Sequence, residues 1–176
     1  MPAIILKKEH FVIVPLNVAN EWCALPYHNH PKGCPNYLMC KHARSKKWLA
    51  NEFFDLDAKM FIVWTSFDLE KHAKRIKKLH PNWSERQCRN LLYWQRGVDN
   101  KTFHLERRIK EKFNLKGYIA IGEGFGINVY ATCRNAGLKL EHIRRPIRIV
   151  RKLSLLMKPK MIKERGFLPE HLRWEG

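Results

Sequence analysis

A long loop near the amino end constrains the fold of this chain most strongly. It spans residues 21–42 and contains three of the five cysteines and three of the nine histidines in the sequence. Three prolines and a glycine within it exclude a helix or a central strand. A loop of this length, without secondary structure of its own, needs something to order it. We therefore expect a metal ion or a metal cluster to hold it.

The spacing of the cysteines in this loop indicates the kind of metal centre. Cys23, Cys34 and Cys40 are separated by ten and five residues. That spacing fits neither the paired cysteine knuckles nor the cysteine-pair and histidine-pair pattern of zinc sites. Iron–sulfur clusters are held by cysteine thiolates at more varied spacing. We therefore predict an iron–sulfur cluster on these three cysteines.

Two alternatives stay open for the same residues. The first is a zinc site completed by His28, His30 or His42, and the second is a loop of buried thiols without any metal. Cys133, beside a predicted helix, is either a fourth ligand or a small buried apolar residue. Cys88 lies among the core positions of another predicted helix, where we expect a structural role.

Hydrophobic periodicity predicts a mixture of strands and helices. The predicted strands cover residues 11–14, 59–67, 118–121 and 138–141, and the predicted helices cover 45–54, 69–80, 84–96, 101–113, 127–136 and a segment between Pro146 and Pro159. This alternation predicts an α/β or α+β fold with a small sheet of short buried strands. We expect a single domain over residues 1–166 and a C-terminal tail over 167–176.

Capping signals define the middle helices. Asp68 is a good N-cap for the helix that follows it, and Ser84 with Gln87 forms a capping box. Gly97 is expected to end the helix that begins after Ser84. Leu91, Leu92 and Trp94 are candidates for its buried face.

A glycine-rich stretch follows the third predicted strand and precedes a helix. Gly122, Gly124 and Gly126 in that position favour a backbone cradle for an anion, or equally a tight turn that brings strand and helix together. The third glycine comes too early for a dinucleotide fingerprint. Glu123 is the best single candidate for a general acid or base, with a solvated loop carboxylate as the alternative. No other catalytic residue is indicated.

The formal net charge of +18 says more about partners than about fold. Nucleic acid is the first partner to consider, with RNA favoured, and a solubility effect is the alternative. The basic segments 69–80 and 143–165, with Trp83 and Trp94 nearby, are expected to form a phosphate-binding face on which bases of a single strand can stack. The candidate contacts in the second segment are Arg144, Arg145, Arg148, Arg151 and Lys152.

The expected cellular location rests on two features that the sequence does not show, a membrane-spanning segment and a signal peptide. No apolar run approaches the roughly 18 residues of a membrane helix, and residues 1–8 do not have the pattern of a signal peptide. We therefore expect a cytoplasmic protein without a membrane partner. Thiols stay reduced in that compartment, so clustered cysteines indicate metal or redox chemistry before disulfides.

Two segments carry a resemblance to a known family. The first combines Trp-Cys at residues 22–23 with Gly-Cys-Pro-Asn-Tyr at 33–37, and the second combines residues 126–132 with Asn-Ala-Gly-Leu at 135–138. They resemble the uncharacterised prokaryotic cysteine-rich "predicted metal-binding protein" family, to which an iron–sulfur cluster is ascribed. The resemblance implies metal binding and does not imply a reaction.

Two functions fit these observations. The first is a redox or sulfur-transfer enzyme that uses an iron–sulfur cluster on a polyanionic substrate such as tRNA. The second is a non-catalytic nucleic-acid-binding module in which a structural zinc holds the loop. The nature of the metal and the salt dependence of nucleic-acid binding distinguish them.

Overall fold

A four-stranded antiparallel sheet forms the centre of the molecule. The computed structural model describes residues 2–26, 31–33, 48–121, 125–141 and 147–160. The strands are β1 (Ala3–Leu6), β2 (Met60–Asp68), β3 (Ile119–Ile121) and β4 (Ile149–Met157). Their order across the sheet is β1-β2-β4-β3, and each neighbouring pair is antiparallel. The mixed fold class is confirmed, and the antiparallel pairing corresponds to its α+β form.

Short helices and one long helix surround the sheet. In the described part of the chain they are α1 (Leu16–Glu21), α2 (Ala50–Phe53), α3 (Leu69–Leu79), α4 (Glu85–Cys88), α5 (Gln95–Lys112) and α6 (Val129–Asn135). Three 3-10 turns lie at Lys8–His10, Trp22–Ala24 and Leu91–Tyr93. No described helix has the length and apolar character needed to cross a bilayer.

Both faces of the sheet are covered where β2 meets β4. Ile62 and Leu155 are register partners, and they are buried on one face together with Phe54 and Ile127. Phe61 and Leu156 are partners on the other face, where Ile109 of α5 covers them. Because successive side chains of a strand alternate between faces, cover on both sides explains why Met60 to Val63 are apolar without interruption. The predicted buried strand over 59–67 is confirmed.

The sheet also contains a strand where the sequence predicts a helix. The segment between Pro146 and Pro159 forms β4, which pairs with β2 from Phe61↔Leu156 to Asp68↔Ile149. A strand in this position buries apolar residues on two faces, which an isolated amphipathic helix cannot do. Tertiary pairing therefore overrides the local periodicity on which the helix prediction was based.

Two shorter strand predictions are wrong. Residues 11–14 do not form a strand, although Ile13 makes an isolated bridge to Ile127 and the Val14 N–H donates to the Gly126 carbonyl at 2.9 Å. The amino-terminal edge strand is β1 instead, paired with Met60 to Val63 of β2. Residues 138–141 also lie outside any strand.

The capping predictions are confirmed, but the helix after Ser84 is much shorter than expected. Asp68 Oδ1 accepts from the Lys71 N–H at 2.8 Å, and Ser84 with Gln87 forms a capping box. Helix α4 nevertheless ends at Cys88, and Gly97 lies inside α5 as its third residue. Leu91 and Leu92, predicted to be buried, are 53% and 84% exposed.

Candidate nucleic-acid interface

An open cleft lies between α3 and the first turns of α5, next to the outer end of β2. Its volume is about 240 Å³. Aromatic rings of Phe67, His72, Tyr93 and Trp94 line it, and side chains of three basic residues surround them. We call this site the α3–α5 cleft. The sequence predicted a helix end at Gly97, but α5 begins before this residue. This start places Trp94 and the following turn opposite α3, on the other side of the cleft.

Two stacked rings form the floor of the cleft. The Phe67 and Trp94 rings have their centroids 5.0 Å apart and are tilted by 15°, and the His72 ring lies 5.4 Å from Phe67. The Trp94 Nε1–H donates to the Arg89 carbonyl at 3.2 Å, which fixes the orientation of the indole. The Arg89 side chain in turn donates to the Ile147 carbonyl, two residues before β4, at 3.0 Å. The floor is therefore held in place by ring contacts and hydrogen bonds.

Three cations form the rim of the cleft. Arg75 of α3 and Arg96 and Lys101 of α5 are exposed, and none of them has an ion pair with a carboxylate of the described residues. Lys74, next to Arg75 in the sequence, is by contrast paired with Glu70 at 2.9 Å. None of the described residues that line the cleft is acidic. The cleft therefore concentrates positive potential.

His72 lines the cleft and carries a buried polar atom without a partner from the described residues. The residue is 8% exposed, and no described group forms a hydrogen bond with its Nε2 atom. Burial, followed by the charge of Arg75, lowers the pKa of His72 below its ordinary value. The ring is therefore neutral at neutral pH. A buried polar atom of this kind is costly to leave unsatisfied, so a ligand that satisfies it is favoured.

The amino-terminal end of α5 opens toward the same cleft. No side chain of a described residue caps this helix. Gly97 lines the cleft at the third position of α5, and an added Cβ there would meet nothing within 4 Å. The first N–H groups of a helix lack acceptors within the helix and carry its positive dipole end. This end of α5 adds to the positive potential of the rim.

A second set of rings lies beside the cleft. His80 and Trp83 stack with centroids 4.1 Å apart and a 12° tilt, and Trp83 lies 5.4 Å from Tyr93. Lys77 Nζ donates to the Trp83 carbonyl. We call His80, Trp83 and Tyr93 the aromatic ladder. Because Tyr93 also lines the cleft, the ladder continues the aromatic floor toward the end of α3.

Two of the nucleic-acid contacts predicted from the second basic segment, Arg148 and Lys152, lie near carboxylates. Lys152 is 3.3 Å from Asp99 of α5. The pKa of Glu70 is lowered mainly by Lys74 and, to a smaller extent, by the charge of Arg148. The Arg151 Nε atom is buried without a partner among the described residues. Arg144 and Arg145 lie outside the described residues, and the role predicted for all five residues stays a prediction.

The glycine-rich stretch is described only at its end. Gly126 has a φ of +70°, and a Cβ at this position would collide with the Val14 carbonyl and the Leu49 side chain. Glycine is therefore required here for a close approach of two backbone segments. Gly122, Glu123 and Gly124 lie outside the described residues, so the anion cradle and the acid–base role stay predictions.

The predicted metal ligands fall largely outside the described part of the chain, which omits Cys34, Cys40, His28, His30 and His42. The backbone of Cys23 belongs to the 3-10 turn Trp22–Ala24. Cys133 is buried in the core, and this burial raises the pKa of its thiol to about 11. Within the described ranges, no three His, Cys, Asp or Glu residues are grouped as a metal site. Cys88 is also buried, as expected for a core position.

Sequence reasoning found part of the cleft and missed the rest. It identified the basic helix at 69–80 and the nearby Trp94, but it did not include Phe67, Arg96 or Lys101. The error came from treating Gly97 as the end of a helix. The apolar spacing of the buried residues of α5 was the available signal, because it begins directly after Gly97. These residues are Val98, Thr102, Leu105 and Ile109.

Comparison with known proteins gives no relative for this chain. No family model matches it, no curated protein matches it, and no solved structure matches it. The resemblance to the cysteine-rich family therefore stays a prediction.

Proposed function

We propose that this protein binds nucleic acid, with RNA favoured, and that the α3–α5 cleft is its principal contact. The observation that carries this proposal is the combination of three unneutralised cations, Arg75, Arg96 and Lys101, around an aromatic floor. Cations contact phosphates and aromatic rings stack with bases. A strand of nucleic acid presents both groups at a regular spacing.

The charge of the whole chain supports the same proposal. At a net charge of +18, long-range attraction raises the rate of encounter with any polyanion. That attraction does not select a particular site, because cations are present on many surfaces. The cleft combines three cations that have no ion pair with a described carboxylate with four aromatic rings in its lining. Selectivity for nucleic acid is therefore expected to come from the cleft.

A triple variant tests the proposal. We expect Arg75→Ala, Arg96→Ala and Lys101→Ala together to weaken binding of an unpaired RNA oligonucleotide by about tenfold or more at physiological salt. The logarithmic salt slope should become shallower by about 2, because three phosphate contacts are lost at roughly 0.7 each. Fluorescence anisotropy over a salt series, with an RNA and a DNA strand of the same sequence, measures both quantities.

The matched control removes the same charge elsewhere. Arg108, Lys112 and Lys116 lie on or just after the carboxy-terminal half of α5. Arg108 is twelve positions from Arg96, which is about 18 Å along a helix and beyond the roughly 8 Å screening length of physiological salt. Alanine at these three positions should change affinity far less. Equal losses in the two triple variants would refute the cleft as the contact, and a flat salt slope would exclude nucleic acid.

We also propose that the loop over residues 21–42 binds a metal centre, most simply an iron–sulfur cluster on Cys23, Cys34 and Cys40, with zinc as the alternative. The clustering of three cysteines and three histidines in one loop supports this proposal. Redox or sulfur-transfer chemistry on a bound RNA would then be the activity.

Iron, sulfide and zinc analysis of anaerobically purified protein tests the proposed metal centre. Cys34→Ala should lose the metal and Cys88→Ala should keep it; a metal-free wild type would refute the proposal.

A further inference from the structure

We propose that the α3–α5 cleft accepts one unstacked nucleobase, so that the protein selects unpaired strands over duplexes. This inference rests on the proposed nucleic-acid binding and identifies the chemical unit that occupies its central site. The deep part of the cleft holds the base, and the rim with the start of α5 holds the adjoining phosphate.

The size and shape of the cleft favour a single flat ring system. Its volume of about 240 Å³ lies below the roughly 300–1,000 Å³ of sites that hold drug-sized ligands. Trp94, stacked on Phe67 with a tilt of 15°, and Tyr93 place aromatic rings in the lining of the cleft. Bases stack on such surfaces regardless of their identity, because each base has a π-face.

His72 favours a neutral polar ring over a phosphate in the deep part of the cleft. The Nε2 atom of this residue, which is more than nine-tenths buried, has no hydrogen-bond partner among the described residues. A purely apolar ligand would leave that atom unsatisfied. A phosphate offers acceptors only, so it could satisfy Nε2 only in the tautomer that carries the proton there. Burial together with Arg75 opposes the charged imidazolium, which would attract a phosphate most strongly. The donors and acceptors on the edge of a base match a neutral imidazole.

The rim offers the complementary site for the phosphate. Arg75, Arg96 and Lys101 surround the opening, and the uncapped start of α5 meets the cleft at Gly97. Phosphates bind at helix N-termini through the free N–H groups and the dipole. The interior of the cleft is therefore aromatic and polar, and its edge is cationic. A nucleotide has the complementary arrangement, with an aromatic base at one end and an anionic phosphate at the other.

Selection of unpaired strands follows from this arrangement. A base inside a duplex is stacked on both sides and hydrogen-bonded to its partner, so it must leave the helix before it can enter the cleft. An unpaired base enters without that cost. The aromatic ladder of His80, Trp83 and Tyr93 provides a surface on which the neighbouring base of the strand can stack.

The first test compares strands and fragments. A single-stranded RNA oligonucleotide should bind at least about tenfold more tightly than the duplex of the same sequence. A nucleoside 5′-monophosphate should compete with the oligonucleotide better than ribose 5-phosphate or inorganic phosphate. Equal binding of single strand and duplex, or equal competition by ribose 5-phosphate, would overturn the base site while leaving nucleic-acid binding intact.

The second test uses His72→Phe, which keeps a ring and removes the Nε2 atom. We expect a roughly fivefold loss of affinity for the single strand, an unchanged duplex affinity and an unchanged salt slope. His104→Phe, on the exposed side of α5, is the matched control and should leave all three quantities unchanged. An unchanged single-strand affinity in a folded His72→Phe would refute the role of His72 and with it the base site.

A spectroscopic readout covers the case in which His72→Phe does not fold. Stacking of a base near Trp94 should quench indole fluorescence when the nucleoside monophosphate is added. Trp94→Phe should lose most of that quenching, whereas a Trp48→Phe control should retain it, because Trp48 packs against the core around Phe54. Retained quenching in Trp94→Phe would overturn the proposal. If the protein did not bind nucleic acid at all, neither the single strand nor the duplex would bind, and that result differs from all the outcomes above.

Discussion

The two ends of the β2–β4 strand pair have opposite environments although they belong to the same ladder. At one end, Ile62 and Leu155 are fully buried between layers. At the other end, Thr65 is paired with Lys152, and Phe67 lines the open α3–α5 cleft. The comparison shows that one pair of strands provides both the core and the floor of the candidate site. Stability and binding should therefore depend on separate residues within these strands.

The largest expected effect is at the buried end. Ile62→Ala should lower the free energy of unfolding by about 2–5 kcal/mol, because it removes buried methyl groups and leaves a cavity. Val150→Ala, at the half-buried open end, should cost clearly less. Urea denaturation of both variants measures the difference. Similar losses at the two positions would contradict the contrast between the ends of the ladder.

A polar pair marks the boundary between the two environments. Thr65 Oγ1 and Thr102 Oγ1 are 2.6 Å apart, and Thr102 also donates to the Val98 carbonyl at 2.9 Å. Thr102→Val should cost about 1–3 kcal/mol of unfolding free energy, because it leaves the Thr65 hydroxyl partly buried without this partner. The double variant Thr65→Val with Thr102→Val should recover part of the loss. A double variant as unstable as the sum of both single variants would show that the pair is not coupled.

The smallest expected effect is the pH dependence contributed by His72 at the open end. Burial and the charge of Arg75 lower its pKa in the folded protein, so the unfolded chain takes up this proton first as the pH falls. The stability contribution of the neutral ring is therefore fully present above about pH 6.5 and is lost as the pH falls through the lower folded pKa.

Urea midpoints measured at several pH values test this contribution. His72→Phe should weaken the loss of stability on the acid side, whereas His104→Phe should follow the wild type. The positive charge of Arg75, which lines the same cleft, opposes protonation in the same direction as burial. A His72→Phe variant with the full wild-type pH dependence would show that another group is responsible.

Local signals in the sequence identified those elements whose formation depends on neighbouring residues. The uninterrupted apolar run of β2, the Asp68 N-cap of α3 and the Ser84–Gln87 capping box were all predicted and are present. In each of these cases the deciding contacts lie within a few residues along the chain, or the composition admits only a strand buried on two faces.

The errors fall where distant segments compete with local preference. A helix was predicted for the residues of β4, between Pro146 and Pro159, where short-range pattern alone does not separate a helix from a strand. Pairing with β2 decides between the two, and β2 lies about ninety residues earlier in the chain. Gly97 was likewise a reasonable helix end by local rules, yet burial of Val98 and Ile109 continues α5 through it.

The sequence by itself determined the mixed fold class, the buried central strand and the excess of positive charge, because composition and short-range patterns fix these properties. Only the tertiary structure decided which cations lack a neighbouring carboxylate and which rings meet around one cleft. Lys152 lies beside Asp99, whereas Arg96, three residues before Asp99, lines the cleft and has no ion pair with a described carboxylate. Such neighbours come from segments far apart in the chain, and spacing along the sequence does not encode the distance between them.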